Sequence, residues 1–264
     1  MKLKVELLPI FENNYVFVVV DDRTRSAVVV DPGEAASAIR FLDQNKLSLS
    51  AVLVTHHHAD HIDGLAELLA HAESKDGSRP PCYAPLINQS QIKVADLFVG
   101  DGDFVKVLDC VWQVIGLPGH TLGHVAYYQP EAGLLFSGDV LFGLGVGRLF
   151  EGTPEQLAET LQKLKALPGR TQVYCTHEYT EDNLTFYEDP ETQKQFAGLV
   201  STESMQTYKQ RLQALRGAGL PSVPLTLSSE VETNPFFNTR SVAELAALRR
   251  LRNHFSSVRK KVEL

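Results

Sequence analysis

The sequence predicts an α/β protein: a layered αββα sandwich followed by a smaller helical domain. Two strand-rich blocks, at about residues 3–54 and 104–136, each come with helical segments, which is the pattern of a layered sandwich. After Tyr179 strand signals nearly vanish and helical spacing takes over. The domain boundary is therefore expected near 178, giving domains 1–178 and 179–264.

Taken in order, residues 3–9 and 15–20 read as strands around a turn at Phe11-Glu12-Asn13-Asn14, and 26–30 as a strand ending at Asp31-Pro32-Gly33. Residues 34–45 are expected to be helical, with Ala38, Ile39 and Leu42 on one face. Ala51-Val52-Leu53-Val54 is short, apolar and β-branched and reads as a buried strand, and 62–72 follows with helical spacing. Lys75 to Pro81 is a loop by its breakers. Strands are expected at 105–107, 111–117, 124–129 and 134–136, a helix at 154–167 and a last buried strand at 172–175. Helices at 204–216 and 241–252 dominate the remainder.

With 44% hydrophobic residues the 264-residue chain has ample material for a packed core. Its net charge of −7 argues against a nucleic-acid partner. Charge is uneven, however: from Glu232 onward seven basic residues face three acidic ones, which suits a local site for an anionic ligand. Three widely spaced cysteines (Cys82, Cys110, Cys175) indicate no disulfide framework and suit a reducing cytosol. The charged start, Met1 to Glu6, lacks the apolar core of a signal peptide, and no run reaches the roughly 18 apolar residues of a membrane span. A cytoplasmic protein with no membrane partner is expected.

The stretch Thr55-His56-His57-His58-Ala59-Asp60-His61 lies where a strand hands over to a helix. In an extended segment alternate residues point the same way, so His56 and His58 share a side while His57 faces elsewhere. Asp60 and His61 fall at the helix start, where a turn can bring a second pair beside the first. Three imidazoles and a carboxylate so close together make a poor structural element and a good metal site. Two adjacent pairs suggest two metals. His120, Asp139 and His177 each follow the end of an apolar strand, as scattered ligands often do.

Thr-His-x-His-x-Asp-His resembles the signature of the metallo-β-lactamase superfamily, and His120, Asp139 and His177 match its later motifs. The match narrows to the glyoxalase II (hydroxyacylglutathione hydrolase) family. Asn13-Asn14-Tyr15, Pro118-Gly119-His120-Thr121-x-Gly123-His124, Ser137-Gly138-Asp139, Gly147 to Thr153, His177-Glu178-Tyr179-Thr180, Asn234-Pro235-Phe236 and Arg249-x-x-Arg252-Asn253 all resemble it, across nearly the whole chain. The resemblance implies one metal held by His56, His58 and His120, a second by Asp60, His61 and His177, and Asp139 bridging them. Asp60 and Asp139 are then the catalytic carboxylates, and the cofactors two divalent ions, zinc foremost, with iron or manganese as alternatives. It also implies that a hydroxide between the metals cleaves a glutathione thioester, S-D-lactoylglutathione, to glutathione and D-lactate in methylglyoxal detoxification. A monomer is expected. Arg148 and Tyr179 would line the glutathione pocket, with Arg249 and Arg252 reaching in from the second domain. Phe150 stands where some members carry tyrosine, and Arg252-Asn253 where others carry lysine and an acid; both bear on the grip on the peptide. The alternatives are a glutathione persulfide dioxygenase or another hydrolase of the superfamily, and a metal-dependent binding module if ligands were missing.

Overall fold

The computed structural model describes residues 3–262, with the side chains of 256–262 left aside. The Met1-Lys2 terminus and the basic side chains of Arg259, Lys260 and Lys261 thus lie outside the described residues. The chain forms two compact units, Met1–Leu117 with Leu122–Gly138, and Pro118–Thr121 with Asp139–Leu264.

In the first unit, β1 (Leu3–Ile10), β2 (Asn14–Asp21), β3 (Ser26–Val30), β4 (Ser48–Leu53), β5 (Cys82–Pro85) and β6 (Leu97–Val99) form one sheet in chain order. β1 to β3 are antiparallel and β3 to β6 parallel, a mixed sheet. β2 is buried along its whole length, so its Val-Phe-Val-Val-Val run does not alternate; β1 does alternate, having one open face. Helices α1 (Ala36–Gln44) and α3 (Leu65–Asp76) cover one side, Ala38, Leu42, Leu65, Leu68 and Leu69 joining Val18, Val29 and Val52 in one core. Between β4 and α3 sits a single turn, α2 (Ala59–Ile62). The helix expected at 62–72 is thus interrupted at Gly64, where a Cβ would lie 2.4 Å from the Glu34 backbone carbon. Only glycine permits that approach. The rest of this unit is an antiparallel meander of β7 (Phe104–Val107), β8 (Cys110–Gly116), β9 (Val125–Gln129) and β10 (Leu134–Gly138), with Trp112 and Phe136 buried in ring contact.

The second unit opens with a two-rung hairpin, β11 (Leu141–Phe142) and β12 (Gly145–Val146). Helix α4 (Pro154–Lys165) starts with a Thr153/Gln156 capping box and a proline in its first turn, a combination that fixes its first residue. β13 (Gln172–Cys175) is followed by α5 (Thr180–Glu188), α6 (Pro190–Phe196) and α7 (Thr202–Gly217), then β14 (Leu225–Thr226), antiparallel to β13. α8 (Leu227–Thr233) and the long α9 (Val242–Val262) complete the helical part. Among the described residues no helix is long and apolar enough to cross a membrane.

Candidate metal centre

The first unit carries its donors on the loop leaving β4 and on α2, and that loop is fixed by one carboxylate. Asp31, buried at the end of β3, accepts from the Thr55 backbone amide (2.8 Å) and the Thr55 hydroxyl (2.7 Å). The same carboxyl meets His61 Nδ1 at 3.0 Å. This contact assigns the Nδ1 proton of His61 to Asp31 and turns Nε2 outward as a lone-pair donor. A carboxylate behind an imidazole is the usual support of a metal-binding histidine. Asp31 therefore does more than terminate a turn.

His56 Nε2 and His58 Nδ1 lie 3.0 Å apart, so the pair the strand alternation puts on one side does converge. The His56 ring stacks on His124 (4.8 Å, 25°), which makes His124 a platform for it. Gly138 allows this packing: a Cβ there would come 2.7 Å from His124 Nε2. Asn14 Nδ2 donates to Asp60 Oδ2 (2.8 Å) and aims that carboxylate, whose Oδ2 is 3.7 Å from His61 Nε2. His57 turns away, as alternation predicts, and meets Asn88 Nδ2 at 3.0 Å through Nδ1.

The second unit carries the other three donors, all buried. His120 Nδ1 lies 2.8 Å from the Arg148 carbonyl, so Nδ1 holds the proton and Nε2 is left as the donor. Asp139 Oδ2 is 3.5 Å from His120 Nε2 and 3.2 Å from His177 Nε2. One carboxylate oxygen facing two imidazole nitrogens needs protons or cations between them. The His177 ring lies flat on Tyr179 (4.6 Å, 3°), with Phe142 at its edge. Gly147 is held to glycine, because a Cβ would meet the Asp139 carbonyl at 1.9 Å.

The anticipated substrate residues also fall in the second unit. Arg148 is exposed, with its guanidinium over Phe150 (5.6 Å). Arg249 and Arg252 are buried, rather than forming a solvated stripe. Arg249 Nη1 donates to the Val146 carbonyl (2.6 Å) over the Phe236 ring, and Arg252 Nε to Asn183 Oδ1 (3.0 Å) over Phe186. Burial first, then the charges of Arg252 and Arg148, push Arg249 down to about 9.

Comparison with known proteins decides the family. The metallo-β-lactamase superfamily model matches residues 9–177, and that of the hydroxyacylglutathione hydrolase C-terminus residues 178–259. A hydroxyacylglutathione hydrolase of Bdellovibrio bacteriovorus is 50% identical over 96% of this chain and 98% of its own. The chain belongs to the hydroxyacylglutathione hydrolase (glyoxalase II) family. It has that family's αββα fold with a C-terminal helical region, and as a member it is a metallohydrolase with a His/Asp metal site. A second relative, from Dechloromonas aromatica, is 42% identical over 93% of this chain and 85% of its own. Among solved structures, ETHE1 from Myxococcus xanthus shares the fold at a TM-score of 0.68, 24% identity and 95% coverage (90% of its own chain). TTHA1623, solved in a di-iron-bound form, covers 65% of this chain and 91% of its own at 30% identity and TM-score 0.51.

The sequence-based reading missed Asn14 as a carboxylate-orienting residue, Asn88 as the partner of His57, and the Arg148 carbonyl behind His120. Asn14 lies in the Asn13-Asn14-Tyr15 motif, where the sequence assigns it no role; the other two carry no local signal.

Proposed function

We propose that this protein hydrolyses S-2-hydroxyacylglutathione, S-D-lactoylglutathione foremost, to glutathione and a 2-hydroxy acid such as D-lactate, in methylglyoxal detoxification. In this reading His56, His58 and His120 would hold one divalent ion and Asp60, His61 and His177 a second, with Asp139 a ligand to both. The observation that carries it is the way His61 and His120 are backed. Each has Nδ1 occupied, by Asp31 in one case and the Arg148 carbonyl in the other, leaving Nε2 for a metal. Imidazole and carboxylate donors without thiolate suit zinc, iron or manganese, and the di-iron form of TTHA1623 supports a two-ion site.

When bound, such a pair supplies acidification of a water and polarisation of the thioester carbonyl. The chain's own residues do the rest. Asn14 fixes the Asp60 carboxylate, Tyr179 keeps the His177 ring from rotating, and His124 does the same for His56. No strong general acid is needed, since a thiol has a pKa of about 8.5 and leaves as thiolate. Arg148, Arg249 and Arg252 are proposed to bind the glutathione carboxylates. Their mutual repulsion, visible in Arg249, is what a bound anion would offset. Residues 1–178 are read as the catalytic domain and 179–264 as the peptide-binding one.

The test is metal analysis of active protein with hydrolysis followed by loss of thioester absorbance. Two ions per chain are expected, and Asp139→Ala should lose one ion and roughly a thousand-fold or more in kcat, the scale of a lost metal-catalytic element. One ion or fewer in fully active protein, or near-normal turnover by Asp139→Ala with both ions retained, overturns the reading.

A further inference from the structure

The Asn234-Pro235-Phe236 motif has no part in the mechanism above, yet Asn234 and the nearby Glu230 are among the most buried polar residues of the second unit. Both point at the β11–β12 hairpin. With two residues per strand, that hairpin has too few rungs to hold itself. Side chains from the C-terminal helices bind its backbone instead. Asn234 Nδ2 donates to the Phe142 (3.2 Å) and Gly145 (3.0 Å) carbonyls, and Asn183 Nδ2 to the Gly143 carbonyl (2.9 Å). The Leu144 amide donates to Glu230 Oε2 (2.9 Å), and Arg249 binds the Val146 carbonyl. Leu144 itself sits at φ +57°, a conformation a non-glycine residue keeps only where its surroundings impose it. Glu230 is in turn oriented by the Tyr208 hydroxyl, which donates to Oε1 (2.7 Å).

The hairpin lies between two parts of the metal centre. Asp139 is two residues before it, and Arg148, whose carbonyl holds His120 Nδ1, is two residues after it. The Gly147 amide closes the segment on the Val140 carbonyl (3.1 Å). Rotating the hairpin moves the carbonyl that chooses the His120 tautomer.

We infer that Glu230 is a positioning residue for the metal centre: by holding the Leu144 amide, together with Asn234 on the flanking carbonyls, it fixes the Arg148 carbonyl and so presents His120 Nε2. The step from His120 to metal binding rests on the ligand assignment proposed above; the step from Glu230 to His120 does not.

Two readouts therefore separate the two. In metal-free protein, Glu230→Leu should speed hydrogen exchange of the Leu144 amide at least ten-fold and replace the single Nδ1-protonated form of His120, read by ring nitrogen NMR, with a mixture. Glu230→Gln keeps an acceptor for Leu144 and should restore both signals. In titrations with zinc alone, Glu230→Leu should weaken affinity about ten-fold, as loss of support behind a ligand does, and Glu230→Gln much less. A folded Glu230→Leu protein with wild-type His120 and Leu144 signals overturns the inference. Altered signals with unchanged zinc affinity keep the clamp and refute His120 as a ligand. Should Glu230→Leu fail to fold, Tyr208→Phe, which removes only the hydroxyl orienting the carboxyl, decides. A two- to three-fold change of the same sign in Leu144 exchange supports the clamp, and none overturns it.

Discussion

Replacing Glu230 by glutamine should change how stability depends on pH, in a direction set by the burial of its carboxyl. The carboxyl is fully buried, and burial pushes it up from 4.5 to about 7, against hydrogen bonds from Tyr208, Leu144 and Asn234 and the attraction of Arg211. Its neighbour Tyr208 is itself raised well above its usual value by burial and stays neutral. In the unfolded chain Glu230 ionises near 4.5, whereas in the native protein it keeps its proton to about 7. Over that interval unfolding releases a proton, so this group's contribution to stability falls as pH rises through it and is fully lost above about 7. At 1.36 kcal/mol per unit, the change between about pH 5 and about pH 8 is roughly 2.5 kcal/mol. Glutamine has the same shape and no titration. Whatever it costs in hydrogen bonding is the same at both pH values and cancels in the comparison. Urea unfolding at the two pH values should therefore show Glu230→Gln gaining about 2.5 kcal/mol on the wild type at the higher one. Parallel profiles would mean that the carboxyl titrates normally in the fold, and would refute the desolvation argument.

Two further outcomes are expected elsewhere. Asp31→Ala orphans the Thr55 amide and hydroxyl and releases His61 Nδ1, so it should weaken zinc binding about ten- to a hundred-fold and cost the metal-free protein at least about 2 kcal/mol; calorimetric titration and thermal unfolding check the two parts. Burial pushes the Cys82 thiol up to about 12 and raises Cys175 and Cys110 as well, so an aromatic disulfide reagent should label native Cys82 and Cys175 at least a hundred-fold more slowly than the denatured chain; prompt native labelling of both would contradict their placement.

Much of this was legible in the sequence because several signals stand without tertiary context. Unbroken apolar runs such as 16–20 and 51–54 mark buried strands, and four adjacent donors after one of them mark a metal loop. Interactions joining distant residues were not legible. Asn14 and Asp60 are 46 positions apart, and Asn88 and His57 are 31 apart. Strands β5, β6, β11 and β12 are too short to show a period, and Phe142-Gly143-Leu144-Gly145 reads as loop by its glycines. Those glycines are present for close approach: Cβ atoms at 143 and 145 would lie 2.3 Å from Thr180 Oγ1 and Asn183 Nδ2. The i, i+3 spacing of Arg249 and Arg252 gave them a shared face but not its burial, which depends on Phe236 and Phe186 packing against it.

Arg249 then ties two lines of reasoning together. Its guanidinium is proposed to meet a glutathione carboxylate, yet Nη1 already donates to Val146, the last residue of the hairpin that Glu230 and Asn234 hold. A ligand drawing on Arg249 thus acts on the segment that presents the Arg148 carbonyl to His120. The C-terminal helices, whose arginines the family resemblance assigns to the peptide, are thus proposed to serve both His120 and the peptide through the Leu141–Val146 hairpin. Substitutions at Arg249 should accordingly perturb the His120 resonances as well as substrate affinity, whereas a purely peripheral peptide contact would leave those resonances where they are.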